Sequence, residues 1–233
     1  MRSAVTPIVA LDVGNAAAAL HLVKELGDLC RFYKVGSELF TAEGPAVVRG
    51  VSELGASLFL DLKFLDIPNT VRGAVRSAAG LGVRILTVHA SGGRPMMEAA
   101  VAAARDAGSG CEIFAVTVLT SMDADVLSSV WGRPLKDVEA EVLRLARLAH
   151  DSGARGIVCS GREAAAVREK FGDALATLVP GVRLPGGDGQ DQSRVVTPRE
   201  AAAAGARYIV LGRAVTAAES PRSAMKAVLA DLP

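Results

Sequence analysis

A single (β/α)8 barrel is the fold this sequence predicts, from its length, the recurrence of short apolar runs between longer helical patterns, and the lack of a linker dividing it. The 233 residues exceed the common single-domain size but suit one α/β barrel. Half of them are apolar, which argues against disorder. No Pro/Gly/Ser-rich segment separates two independent halves, so residues 1–233 read as one domain. An open doubly wound sheet is the structural alternative.

The elements follow in order. Strands are predicted at about Pro7 to Asp12, Phe32 to Val35, Ser57 to Lys63, Val83 to His89, Glu112 to Leu119, Gly156 to Cys159, Thr177 to Val182 and Tyr208 to Leu211. The runs "IVAL", "SLFL" and "YIVL" are almost continuously apolar, as parallel strands covered on both faces require. After the first strand, "NAAAALHLVKELGDL" reads as a helix with Asn15 as its cap and Gly27 as its terminator. "GRPMMEAAVAAARDAG" places Pro95 near a helix start and Gly108 just past its end.

The long interval between the fifth and sixth strands holds "TSMDADVLSSVWGRP", room for a short extra helix. The helix after it should bury Val138, Val142, Leu145 and Leu148 and carry Glu139, Glu141, Arg144 and Arg147 mainly on a solvated face. "RLPGGDGQDQSRVVTP" is too polar and glycine-rich for the core, so residues 184–197 read as a mobile loop near a ligand.

Composition narrows the function classes. Lys and Arg number 26 against 25 Asp and Glu, leaving no global field for nucleic acid or an anionic membrane; an anion site must be built locally. Cys30, Cys111 and Cys159 are widely spaced, without a CxxC, and read as buried free thiols in a cytoplasmic protein. No apolar run is long enough for a transmembrane span, and the start does not have the form of a secretion signal.

Charged residues at the ends of apolar strands carry the chemical signal. Asp12 ends "IVALD", Lys34 lies in "FYKVG", Asp61 and Lys63 alternate in "LFLDLKF", and Asp66 follows in "LDIPNT". Alternation puts Asp61 and Lys63 on one side of an extended chain, about 6–7 Å apart at Cα. Strand-end ion pairs that merely orient loops would account for any one of them. Together they point to a catalytic face, because a barrel gathers the carboxyl ends of different strands there.

Gly212 and Arg213, just beyond the last strand, offer a close backbone approach and a guanidinium fork for phosphate. His89 reads as a hydrogen-bonded strand-end histidine, with acid/base work the alternative. Ser160 lacks the GxSxG elbow, and no GxGxxG or GxxxxGK[ST] segment occurs, so the residues call for no cofactor and no metal.

"LDV", "YKVG", "DLKFLDIPNT", "LTS", "PGVR", "DQSRVVTP" and "LGR" together resemble, in type and order, the orotidine 5'-phosphate decarboxylase family. The resemblance implies a dimeric phosphate-binding barrel that converts orotidine 5'-phosphate to uridine 5'-phosphate and carbon dioxide without metal or organic cofactor. It assigns Lys34, Asp61 and Lys63 to a catalytic array that Asp66 of the neighbouring subunit completes. Asp12 would bind ribose, with Thr70 reaching the partner's site. Thr120 or Ser121 would meet the pyrimidine edge. Arg183, Gln192 and Arg213, with Gly212, would form the phosphate end, Gln192 also able to reach the pyrimidine from the lid and Gln190 the other candidate for that glutamine; Pro180 and Val182 would belong to the substrate-binding set.

Leu65 stands where many members have histidine, and the lid segment departs from the usual Gly-Asp-Gln pattern. A Mg²⁺-dependent sugar-phosphate aldolase of the hexulose-phosphate synthase type is the enzyme alternative. A noncatalytic phosphate-ligand barrel is the other.

Overall fold

Eight parallel strands close into a barrel in sequence order, with the last paired to the first. The computed structural model describes residues 5–135, 137–184 and 195–233. The order is β1 (Thr6–Ala10), α1 (Ala16–Leu26), β2 (Phe32–Gly36), α2 (Ser37–Glu43), α3 (Pro45–Glu53), β3 (Ser57–Phe64), α4 (Pro68–Ala79), β4 (Ile85–His89), α5 (Gly93–Asp106) and β5 (Glu112–Val116). It continues with α6 (Ala124–Trp131), α7 (Val138–Asp151), β6 (Gly156–Val158), α8 (Ala164–Phe171), β7 (Ala176–Val179), α9 (Pro198–Ala203), β8 (Tyr208–Leu211), α10 (Arg213–Thr216) and α11 (Pro221–Asp231).

Each predicted strand lies at its expected place, but several end early. Asp12, Leu119, Cys159 and Val182 lie past the strands they were assigned to. Local chemistry sets the helix boundaries: Asn15 Oδ1 accepts the Ala18 N–H at 2.9 Å to open α1, and Gly27 at φ 53° closes it. The expected extra helix is α6, where Asp123 accepts the Val126 N–H at 2.9 Å.

Period-two alternation sorts the strand residues into two cores. Val9, Leu11, Tyr33, Val35, Leu58 and Leu60 face outward against the helices. Ile8, Ala10, Phe32, Phe59, Ile85, Phe114, Leu178, Tyr208 and Val210 fill the barrel interior. Phe114 and Tyr208 meet edge-on there with ring centroids 5.7 Å apart. A Cβ at Gly156 would collide with Phe114 Cε1 and the Ala176 carbonyl oxygen, so the aromatic plug requires glycine at that point of β6.

The face assigned to α7 needs correction. Glu141 is buried together with Val142, Leu145, Ala146 and Ala149, whereas Val138 and Leu148 are only partly covered. Its carboxylate accepts hydrogen bonds from Arg133 and Arg144, whose guanidiniums lie 5.6 and 6.0 Å from the Trp131 ring centroid. Burial pushes the Glu141 pKa upward, but these hydrogen bonds outweigh it and hold the group below its ordinary value. Periodicity missed this because it ranks large apolar residues, whereas the small Ala146 and Ala149 are buried on this helix and Val138 and Leu148 are not. Cys30, Cys111 and Cys159 are buried and form no disulfide among the described residues. Among the described residues no helix is long and apolar enough to cross a membrane.

Candidate active site

The inward phase that fills the barrel also delivers the charged residues. Two positions beyond Phe32 lies Lys34; two beyond Phe59 lies Asp61; two beyond Ile85 lies Thr87. All three therefore sit over the apolar plug, toward the carboxyl ends of the strands. Asp61 is the hub. Its Oδ2 lies 2.7 Å from Lys63 Nζ and 3.8 Å from Lys34 Nζ, and its Oδ1 accepts from Thr87 Oγ1 at 2.9 Å. Lys34 Nζ also donates to Asp12 Oδ1 at 2.9 Å. The result is an alternating row, Asp12, Lys34, Asp61, Lys63, with no net charge.

Asp61 is only 8% exposed, and an unpaired carboxylate there would cost several kcal/mol. Two ammonium groups and a hydroxyl compensate it. Gly36 leaves the space for this: a Cβ there would lie 2.9 Å from Lys34 Nζ and 3.4 Å from Asp12 Oδ1.

Lys63 reaches the row by a backbone distortion that simple alternation does not contain. Leu60 pairs with Leu86 and Phe64 with Val88, so the β3 register slips across the catalytic segment. Lys63 adopts φ 49°, the only positive φ outside glycine among the described residues. Such a conformation costs about 1–3 kcal/mol and persists only where its surroundings impose it. Here the Lys63 N–H donates to Thr87 Oγ1 at 3.0 Å, so one threonine holds both the lysine backbone and its carboxylate partner. Sequence reasoning missed Thr87. Its signal was a polar residue in "ILTVH", in phase with His89.

His89 ends β4 half-buried, and its ring forms no hydrogen bond among the described residues, contrary to expectation. Burial, then the nearby Lys63 charge, lowers its pKa below 6.5, while Asp61 acts in the opposite direction.

A cavity of about 530 Å³ opens above this row, within the size range of small-ligand clefts. Asp12, Lys34, Asp61, Lys63, Thr120, Pro180, Arg183, Gly212 and Arg213 all line it. Val116, Val118, Val158, Leu178 and Val210 supply an apolar wall and floor, and Glu38 from α2 is a lining residue the sequence did not single out. Arg183 is held by its own backbone, whose N–H donates to the Val196 carbonyl at 3.0 Å.

Other expected residues lie elsewhere. Ser121 is exposed and outside the cavity lining. Val182 is fully buried in the outer core, where it bridges Val196, so its side chain supports the Gly181–Arg183 turn rather than facing the cavity. Asp66 and Thr70 are exposed on the loop after β3 and the first turn of α4, and neither lines this chain's own cavity; Asp66 Oδ1 accepts the Ile67 N–H at 2.6 Å. Gln190 and Gln192, with most of the expected 184–197 loop, lie outside the described residues. Among the described residues, no group of three or more His, Cys, Asp or Glu side chains is placed to hold a metal ion.

The chain is similar to known proteins. The model of the Orotidine 5'-phosphate decarboxylase / HUMPS family matches residues 6–228. The chain is 52% identical to the orotidine 5'-phosphate decarboxylase of Anaeromyxobacter dehalogenans, covering 96% of each chain. It is 48% identical to that of Moorella thermoacetica, over 97% of this chain and 91% of the relative. A crystal structure of orotidine 5'-phosphate decarboxylase from Lactobacillus acidophilus superposes with a TM-score of 0.83 at 36% identity, covering 97% of this chain and 98% of that one.

Proposed function

We infer the chemistry of the cavity from one premise: the chain belongs to the Orotidine 5'-phosphate decarboxylase / HUMPS family. It is a carboxy-lyase that decarboxylates orotidine 5'-phosphate to uridine 5'-phosphate and carbon dioxide. The observation that carries the residue-level reading is the Asp12–Lys34–Asp61–Lys63 row at one side of a cavity whose lining also includes Arg183 and Arg213.

In this reading the phosphate is held by Arg183, Arg213 and the Gly212 backbone, with Gln192 from the 184–197 loop closing over it. Asp12 takes the ribose hydroxyls, and Thr120 meets the pyrimidine edge. Remote phosphate binding energy aligns the ring and expels water. As the C6 carboxylate leaves, negative charge develops at C6. The Lys63 ammonium faces that charge, stabilises it, and then donates a proton to carbon. Asp61 keeps Lys63 charged and oriented, and Lys34 balances Asp61. Asp61 beside the departing carboxylate also disfavours the ground state.

Asp66 and Thr70 complete the site of a partner subunit in a homodimer. Support comes from their exposure outside the lining of this chain's own cavity, and from the loop's exposed Leu65 and Ile67 at 56% and 66%. Three buried cysteines that form no disulfide among the described residues support a cytoplasmic location.

Two measurements test the reading. Protein stripped with chelator should release carbon dioxide from orotidine 5'-phosphate at nearly its original rate. Dependence on added Mg²⁺ would point to the aldolase chemistry of the family's other branch instead. Lys63→Ala should lower kcat by more than about 10⁴-fold, beyond what proton transfer alone supplies. A folded Lys63→Ala variant with near-normal turnover would show that another group does the chemistry.

A further inference from the structure

We propose that the opposite, N-terminal mouth of the barrel is a second anion site, shaped for a small di- or triphosphate. Arg31, Arg84, Arg155 and Arg207 each stand immediately before an even-numbered strand, in "CRFYKV", "VRILTV", "ARGIVC" and "ARYIVL". Their backbones occupy equivalent rungs. The four carbonyls accept from Ser57 N at 2.8 Å, Glu112 N at 2.8 Å, Ala176 N at 3.1 Å and Thr6 N at 3.0 Å. Each arginine backbone is therefore anchored on the same ladder edge, at the amino end of its strand.

Their partners differ in a way that points to a ligand. Arg155 is paired with Glu112 at 3.5 Å, and so is neutralised. Arg31 and Arg84 instead line a hollow of about 430 Å³, together with Arg207, Phe32 and Tyr208. Asp28 is the carboxylate in its lining, and it already meets Arg222 at 3.4 Å. Neither Arg31 nor Arg84 has a carboxylate within salt-bridge distance among the described residues. The Arg207 guanidinium lies over the Tyr208 ring, 5.6 Å from its centroid.

Tyr208 is 5% exposed, yet its hydroxyl forms no hydrogen bond among the described residues. A buried hydroxyl with no protein partner is uncommon and calls for a ligand or water. Arg31 and Arg84 bring two cations without a carboxylate partner among the described residues to one hollow, and an anion there would be attracted to both. Planar forks bind phosphate oxygens in pairs, and several such oxygens are needed to span different strand ends. A diphosphate or triphosphate meets that requirement; a single carboxylate does not. The catalytic cavity opens at the other end of the strands, so both sites can be filled at once.

The probe is inorganic pyrophosphate, titrated calorimetrically at constant ionic strength, with arginine modification by phenylglyoxal mapped by mass spectrometry. Pyrophosphate should shield Arg31 and Arg84 from modification. Arg31→Ala and Arg84→Ala should each weaken its binding by about tenfold or more, as loss of one charged hydrogen-bonding group does. Both variants should keep wild-type turnover, which shows that they fold. Shielding of Arg213 but not of Arg31 and Arg84 would overturn the proposal by assigning the anion to the catalytic cavity. An isotherm unchanged in both variants would overturn it as well.

Discussion

At the level of single residues, the centre depends on Thr87 as much as on the charges it serves. Its hydroxyl donates to Asp61 Oδ1 and accepts the N–H of Lys63, whose φ of 49° is imposed from outside the strand. Thr87→Val keeps the shape and removes both bonds. Turnover is expected to fall about 10–100-fold, the worth of a charge-linked hydrogen bond, with KM changed only a few-fold. Thr87→Ser should recover most of the loss; a drop in KM and kcat that serine does not rescue would mean that packing, not positioning, is the role.

His89 provides a pH test at the same scale. Its folded pKa lies below 6.5, so between those two values the unfolded chain binds a proton that the folded chain refuses. Stability therefore declines as pH falls through about 6.5 and levels off below the folded pKa. Thermal melts from pH 8 to 5 should show a steeper decline for the wild type than for His89→Asn. Parallel curves would place the proton uptake elsewhere.

At the level of elements, alternation is accurate wherever a strand is regular and fails where it is not. Asp61, Lys34 and Thr87 reach the interior by simple two-residue steps from Phe59, Phe32 and Ile85. Lys63 does not, because the register slip in β3 is set by pairing with β4, which no local pattern reports. On α7, Glu141 was read as solvated because the presence of Arg133 and Trp131 beside it depends on how α6 packs. The glycine of β6 makes the matching packing prediction. Gly156→Ala forces a methyl into Phe114 and the Ala176 carbonyl, and should destabilise the fold by about 1–3 kcal/mol. A urea midpoint equal to that of wild type would show that the aromatic plug can shift to accept it.

For the whole molecule, the proposal that Asp66 completes the site of a partner subunit has a direct test. A Lys63→Ala homodimer and an Asp66→Ala homodimer should both be defective. In a mixed dimer one site carries both lesions, while the other combines an intact Lys63 with an intact Asp66 from the opposite chain. Random equal mixing makes half the dimers mixed, so activity should recover to roughly one quarter of wild type. The variants would be refolded together, subunit exchange verified by mass spectrometry, and activity compared with separately refolded samples. No recovery despite confirmed mixed dimers would remove Asp66 from a shared site.

The amino-acid sequence alone determined the barrel, its eight strands and most of the cavity, because parallel strands buried on both faces leave continuous apolar runs. A charge at the end of such a run is conspicuous: Asp12, Lys34, Asp61, Lys63 and Arg213 were all legible and all line the cavity. Only the tertiary structure decided that Thr87 holds the centre, that Thr120 rather than Ser121 lines the cavity, and that Val182 turns into the core. The physical reason is common to these cases. A side chain's direction at a distorted strand or past a strand end is set by neighbours distant in sequence, whose positions periodicity does not encode.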